Sequence, residues 1–116
     1  MQRPAPIILP WPPASLSGHN DGHWSGKSGT VKRHRAKAQD VTTKAAVAVP
    51  EEGDLHLHIR FVPPDRRSDR VNFPNRMKPY IDGIADALGI NDKRFDVPTY
   101  FCAEPERPGR VEVWIQ

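Results

Sequence analysis

The stretch LHLHIRFVPPDRRSDRVNFPNRMKPYIDGIADALG, Leu55 to Gly89, decides the fold. Its first eight residues alternate. Leu55, Leu57, Ile59 and Phe61 fall on one side and His56, His58 and Arg60 on the other, the period-2 pattern of a half-buried strand. Pro63 and Pro64 end it, because proline has no N–H to give a ladder. After a basic loop, Met77, Tyr80, Ile81, Ile84 and Leu88 recur at helical spacing, with Asn72 as the expected N-cap, Pro74 in the first turn and Gly89 as the stop. Pro79 is expected opposite this stripe, bending the helix mildly away from the core. A strand followed by a helix of this amphipathicity is half of an α/β unit.

The remaining elements follow outward. Ala5 to Trp11 reads as a first strand, ended by Pro10, Pro12 and Pro13. The Gly/Ser/Asn-rich run after it is a loop. Val31, Ala38, Val41 and Ala45 place a helix over Thr30 to Ala48. Two closing strands are expected at Thr99 to Ala103 and Arg110 to Ile115. Strand, helix, strand, helix, strand, strand predicts a small single-domain α/β fold, residues 1–116, with a mixed sheet and two helices. Cys102 lies in an apolar run and reads as a small core residue of a reducing compartment. No segment approaches membrane-spanning length and the N-terminus lacks the apolar run of a signal peptide. A soluble, cytoplasmic protein with no membrane partner is expected.

The net charge is +3, and its placement says more than its size. Lys27, Lys32, Arg33, Arg35, Lys37 and Lys44 face one acid, Asp40; Arg60, Arg66, Arg67, Arg70, Arg76 and Lys78 face Asp65 and Asp69. Two basic blocks suit a polyanion, and equally suit two solvated faces. Hydrolysis of a phosphodiester needs neutralisation of phosphate charge and an activated water, which carboxylates holding Mg²⁺ can supply. Asp69 and Asp92 flank the second helix, but a helix of that length separates its ends by about 20 Å at ~1.5 Å per residue. Spacing alone leaves them a capping Asp and a turn Asp unless the loop after Gly89 folds back. His19, His23 and Cys102 lack paired zinc-ligand spacing, and SGKSGT does not complete a phosphate-loop pattern.

Several stretches together resemble the RusA-like family of Holliday junction resolvases, typical of prophages. ILPWPPASLSGHNDGHW is similar to that family's opening strand and loop, and IRFVPPDRRSDRVN to its middle strand and P-P-D-R-R-x-D-x-D-N. MKPYIDGIADALGINDKRF is similar to its lysine-bearing helix and later aspartate, and GRVEVWI to its closing strand. The resemblance implies a homodimeric, Mg²⁺-dependent endonuclease (Mn²⁺ serving as well) that cuts four-way and other branched DNA in recombination and repair. It makes Asp69 and Asp92 metal ligands and catalytic residues. Lys78 becomes the lysine beside the reacting phosphate, and Asn72 the residue that orients Asp69. The basic residues Arg66, Arg67, Arg70, Arg76, Lys32, Arg33 and Arg35 would grip the DNA backbone. The second aspartate of D-x-D-N is here Val71, which cannot ligate a metal. Asp65, Asp82 or Asp96 could take the vacancy, or Asp69 and Asp92 could work with water ligands. Alternatively the chain binds junctions without cutting them, or is a non-enzymatic interaction domain.

Overall fold

A computed structural model of the chain describes residues 5–16, 24–67 and 70–116, with side chains described from Gly29 onward in the second of these segments. The expected α/β architecture is present: a four-stranded mixed sheet with two α-helices among the described residues. The strands are β1 (Ile7–Pro10), β2 (Leu57–Val62), β3 (Thr99–Cys102) and β4 (Arg110–Ile115), and the helices are α1 (Trp24–Ala45) and α2 (Lys78–Leu88). The order across the sheet is β1-β4-β2-β3. β4 runs antiparallel to both β1 and β2, and β3 runs parallel to β2. A parallel pair needs a crossover, and α2 supplies it.

The alternation in β2 is realised. Leu57, Ile59 and Phe61 are buried and face the helices, together with Ile7 and Leu9 of β1 and Val111 and Val113 of β4. Met77, Tyr80 and Ile84 close over them from the α2 side, and Ala38 from α1. A two-layer structure follows from this pattern, because one apolar sheet face and two apolar helix stripes bury one another. Tyr80 spans the layers: its hydroxyl donates to the Pro10 carbonyl at 2.7 Å, and burial raises its pKa well above the ordinary phenol value.

Four local expectations are corrected. The second helix does not begin at Asn72. Arg70–Arg76 is a 3-10 stretch containing Pro74, and the α-helix proper starts at Lys78 with Met77 in the N-cap position and no side-chain cap. Pro79 explains this, since a residue without an N–H fits the first turn of an α-helix and not its interior. Pro79 is therefore a helix starter and is buried, not a kink on the outer face. Gly89 ends the helix in the left-handed region, φ 66°, as expected. Next, α1 starts six residues before Thr30 and ends at Ala45, with Ala46 at φ 52° breaking it. Third, Cys102 is exposed: β3 is an edge strand, so its far side has no neighbour to cover it.

The fourth correction concerns Arg76. Expected on a DNA-facing surface, it is 8% exposed, with its guanidinium 5.2 Å from the Phe73 ring centre and 6.0 Å from that of Trp11. Its Nη1 donates to the Pro12 carbonyl at 3.1 Å. Burial lowers its pKa, because the charged form loses water there. Arg76 is a packing cation that ties the 3-10 stretch to the proline-rich segment after β1, and it is withdrawn from the surface set.

Candidate functional site

The groove beside α2 gathers the chemistry. Lys78, Asp82 and Asp86 stand at i, i+4 and i+8 and therefore share one face of the helix. Asp92, four residues past Leu88, opens a short 3-10 turn (Asp92–Arg94) that Asn91 caps by accepting from the Lys93 amide at 2.9 Å. The αL turn at Gly89 reverses the chain, and Asp92 returns along the helix flank. Lys78 Nζ donates to Asp92 Oδ2 at 2.9 Å and to Asp82 Oδ1 at 2.9 Å. The fold-back that sequence spacing could only pose as a condition is met on this side: a lysine in the first turn of α2 touches an aspartate beyond its last.

From α1, Arg35 reaches the same groove. Its Nε and Nη2 donate to the two oxygens of Asp86 at 2.6 and 2.9 Å, a forked ion pair between the helices. Arg35, Lys78, Asp82, Ala85, Asp86, Ile90, Asn91 and Asp92 line a space of about 370 Å³. The hydrogen bond from Lys78, reinforced by its charge, holds the Asp92 carboxyl below the usual carboxylate range, while the Asp92 and Asp82 bonds hold Lys78 above the usual amine range. Arg35 likewise depresses Asp86. A depressed folded-state pKa stabilises above the unfolded pKa and loses that contribution as pH falls through the folded value. The Lys78–Asp92 contact therefore persists through neutral pH and weakens only below the ordinary Asp range. Carbon-13 NMR titration should place Asp92 below a reference Asp, and Lys78→Met should bring it back up; an unchanged Asp92 midpoint in the variant would disprove the pairing.

The other expected site residues fall as follows. Asp69 lies outside the described residues. Arg70, the next residue, is exposed at the start of the 3-10 stretch, and Val71 is 82% exposed. Asn72 lies within that stretch, not at an α-helix N-cap. Arg66 and Arg67 are exposed; Arg66 pairs with Glu104, and the Arg67 amide donates to Asp65 at 2.9 Å. Lys32 and Arg33 are exposed on α1, Arg33 bonding Thr30 at 3.1 Å. Arg35 is committed to Asp86. Asp96 is committed to His56 at 2.5 Å. Of the three carboxylates able to replace the one missing at Val71, Asp82 is the one that shares a partner with Asp92.

The sequence offered Asp82 only as one of three carboxylates for the vacancy at Val71, gave Asp86 no role, and assigned Arg35 to DNA. The i, i+4, i+8 run from Lys78 was the available signal that Asp82 and Asp86 share its face. Nothing local pairs Arg35 with Asp86, because they are 51 positions apart. As donors, Asp82 and Asp92 are hard oxygen ligands of the kind Mg²⁺ takes. In number they are two, and one ammonium already bridges them. Among the described residues no group of three His, Cys, Asp or Glu side chains could hold a metal ion. Asp82 and Asp92 fit a hard divalent cation in kind and fall short of a full set of ligands in number.

No family model matches the sequence. An uncharacterized protein of Xylella fastidiosa (strain Temecula1 / ATCC 700964) is 41% identical over 113 residues, covering 94% of this chain and 74% of the relative. The chain belongs to the family of that Xylella protein. Identity at this level over this share of the chain carries the fold as a whole. Among the described residues no helix is long and apolar enough to cross a membrane.

Proposed function

We propose that the protein is a Mg²⁺-dependent, structure-selective endodeoxyribonuclease acting as a homodimer on four-way and other branched DNA, as its resemblance to RusA-like resolvases implies. The observation that carries this reading is the return of Asp92 to Lys78. It brings a carboxylate and a cation from opposite ends of α2 to one exposed groove, which Arg35 of α1 also lines. A structural ion pair needs only one partner for Lys78; here it has two carboxylates, one of them 41% exposed.

In this reading Asp69 and Asp92 hold the metal, and Asp82 shares Lys78 with Asp92. The bound Mg²⁺, or Mn²⁺ in its place, supplies charge neutralisation and an activated water. Lys78 Nζ orients Asp92 and lies close enough to place positive charge by a phosphate oxygen in the groove. Arg66, Arg67 and Arg70 border the segment carrying Asp69. With Lys32 and Arg33 of α1 they give a backbone grip whose strength falls steeply with salt. Arg35 positions rather than grips, because Asp86 holds both ends of its fork.

A second reading, junction binding without cleavage, is favoured by two observations: Val71 stands where the resemblance places a ligand, and Lys78 bridges Asp82 and Asp92. Incubating the purified chain with a labelled four-way junction, with and without Mg²⁺ or Mn²⁺, separates the readings. Paired metal-dependent nicks, lost in Asp69→Asn, are expected, and Val71→Asp should raise the rate. Binding with no cleavage under either metal would establish the second reading. Absence of salt-sensitive junction binding would sink both and leave the interaction-domain alternative.

A further inference from the structure

We propose that His56 and His58 form a site for a borderline divalent transition ion such as Zn²⁺, on the face of the sheet turned away from the helices. The site is separate from the oxygen-lined groove beside α2. The His56 amide donates to the Gln116 carbonyl at 3.0 Å and the Gln116 amide to the His56 carbonyl at 2.9 Å, so the β2–β4 ladder continues through His56. Two positions apart on one extended strand, His56 and His58 present their imidazoles to the same face. Leu57, between them, is buried on the other. The ring centres are 4.7 Å apart at an interplanar angle of 71°, and both residues are partly exposed. A tetrahedral ion with Zn–N bonds of about 2.0–2.1 Å would hold two ligating rings with centres about 5 Å apart. The sheet keeps them close to that spacing.

The hydrogen bonds around the rings name the ligating nitrogens. A metal takes neutral imidazole, and an ionised carboxylate can only accept. In that form Asp96 Oδ1 holds the proton on His56 Nδ1, at 2.5 Å, and leaves the lone pair on Nε2. The Thr99 hydroxyl donates to this lone pair at 2.7 Å. A hydroxyl turns away by rotation about one side-chain bond, so an ion can take its place. A carboxylate behind the far nitrogen is the usual support of a metal-ligating histidine, because it fixes the ring and raises its basicity. On His58, Nε2 faces Gln116 Oε1 at 3.0 Å. That carbonyl oxygen accepts, which leaves the lone pair on His58 Nδ1. Imidazole nitrogen suits Zn²⁺, Ni²⁺ and Cu²⁺, whereas Mg²⁺ takes oxygen. Two imidazoles are one fewer than the three protein ligands of a catalytic zinc centre, and among the described residues no third side chain completes the set. Water fills the remaining positions.

Isothermal titration of the full chain with Zn²⁺, in excess Mg²⁺ and without DNA, tests this, so failure here leaves the endonuclease reading untouched. One ion per chain is expected, and His56→Ala or His58→Ala should abolish that stoichiometric binding. Asp96→Ala should weaken it about 10- to 100-fold, the cost of losing an outer-shell partner. Thr99→Val, which removes the competing donor, should leave binding as tight or tighten it. Cys102→Ser and the double variant His19→Ala/His23→Ala should bind as the parent does. His56, His58, Asp96 and Thr99 are all at least partly exposed, so their variants should fold, which circular dichroism checks. In the parent, nitrogen-15 spectra of the imidazoles should place the ion on His56 Nε2 and His58 Nδ1. No saturable binding up to about 100 μM Zn²⁺ would overturn the proposal. So would binding that survives His58→Ala, that is lost with Cys102 or with His19 and His23, or that is indifferent to Asp96→Ala.

Discussion

Gly83→Ala should destabilise the protein by about 3 kcal/mol or more, lowering Tm on the order of 10–20 °C. In an exposed helix this change stabilises by about 1 kcal/mol, since alanine is the better helix former. Here the added Cβ would lie 2.2 Å from the Arg35 carbonyl oxygen and 2.8 Å from the Ala38 Cβ, both on α1. Contact with backbone cannot be relieved by a rotamer change, so the helices must separate. Their closest approach runs along Gly83 and Ala38, and both are buried. Separation would also lengthen the Arg35–Asp86 pair across the same interface. Thermal denaturation followed by circular dichroism decides the matter: an unchanged or raised Tm would mean that α1 and α2 do not pack as described. Gly109→Ala poses a similar but smaller problem. Its φ is 90°, and a Cβ would meet Pro64 Cδ at 2.9 Å.

Asp92→Asn should abolish metal-dependent junction cleavage, lowering the rate by more than the roughly 100-fold that loss of an outer-sphere partner typically causes. The substitution keeps size and the hydrogen bond to Lys78 and removes only charge. Asp92 is exposed enough that stability should hold, so a variant that folds, binds junction and does not cut is the expected result. Lys78→Gln should lower cleavage while leaving junction binding intact, because grip rests on Arg66, Arg67, Arg70, Lys32 and Arg33. Single-turnover rates beside binding isotherms make the test. If Asp92→Asn cuts at the parental rate, Asp92 is a structural partner of Lys78 and the site assignment fails.

The two tests differ in what they owe to the sequence. That Gly83 is small is plain in the sequence. That it must be small is not, because the atom it would strike belongs to a residue 48 positions earlier. Helix α2 was legible as a stripe, yet its start was misplaced, since Asn72 and Pro74 offer local start signals as good as those at Met77 and Pro79. Local signals compete on equal terms, and which one wins depends on what the core buries. Arg76 shows the same limit. An arginine in a basic run reads as surface, and only the rings of Trp11 and Phe73 make a buried place for it.

By itself, the sequence determined the α/β class, the alternation that makes β2 the central strand of the core face, and the Gly89 reversal. These depend on periodicity and backbone conformation, which are properties of neighbours along the chain. Tertiary structure alone decided that Asp92 folds back onto Lys78 and Asp82, that Arg35 joins α1 to Asp86, and that Asp96 and Thr99 meet His56. Each of these joins residues on different elements. Their distances are set by strand order and helix packing, to which many contacts contribute and no short stretch holds the key.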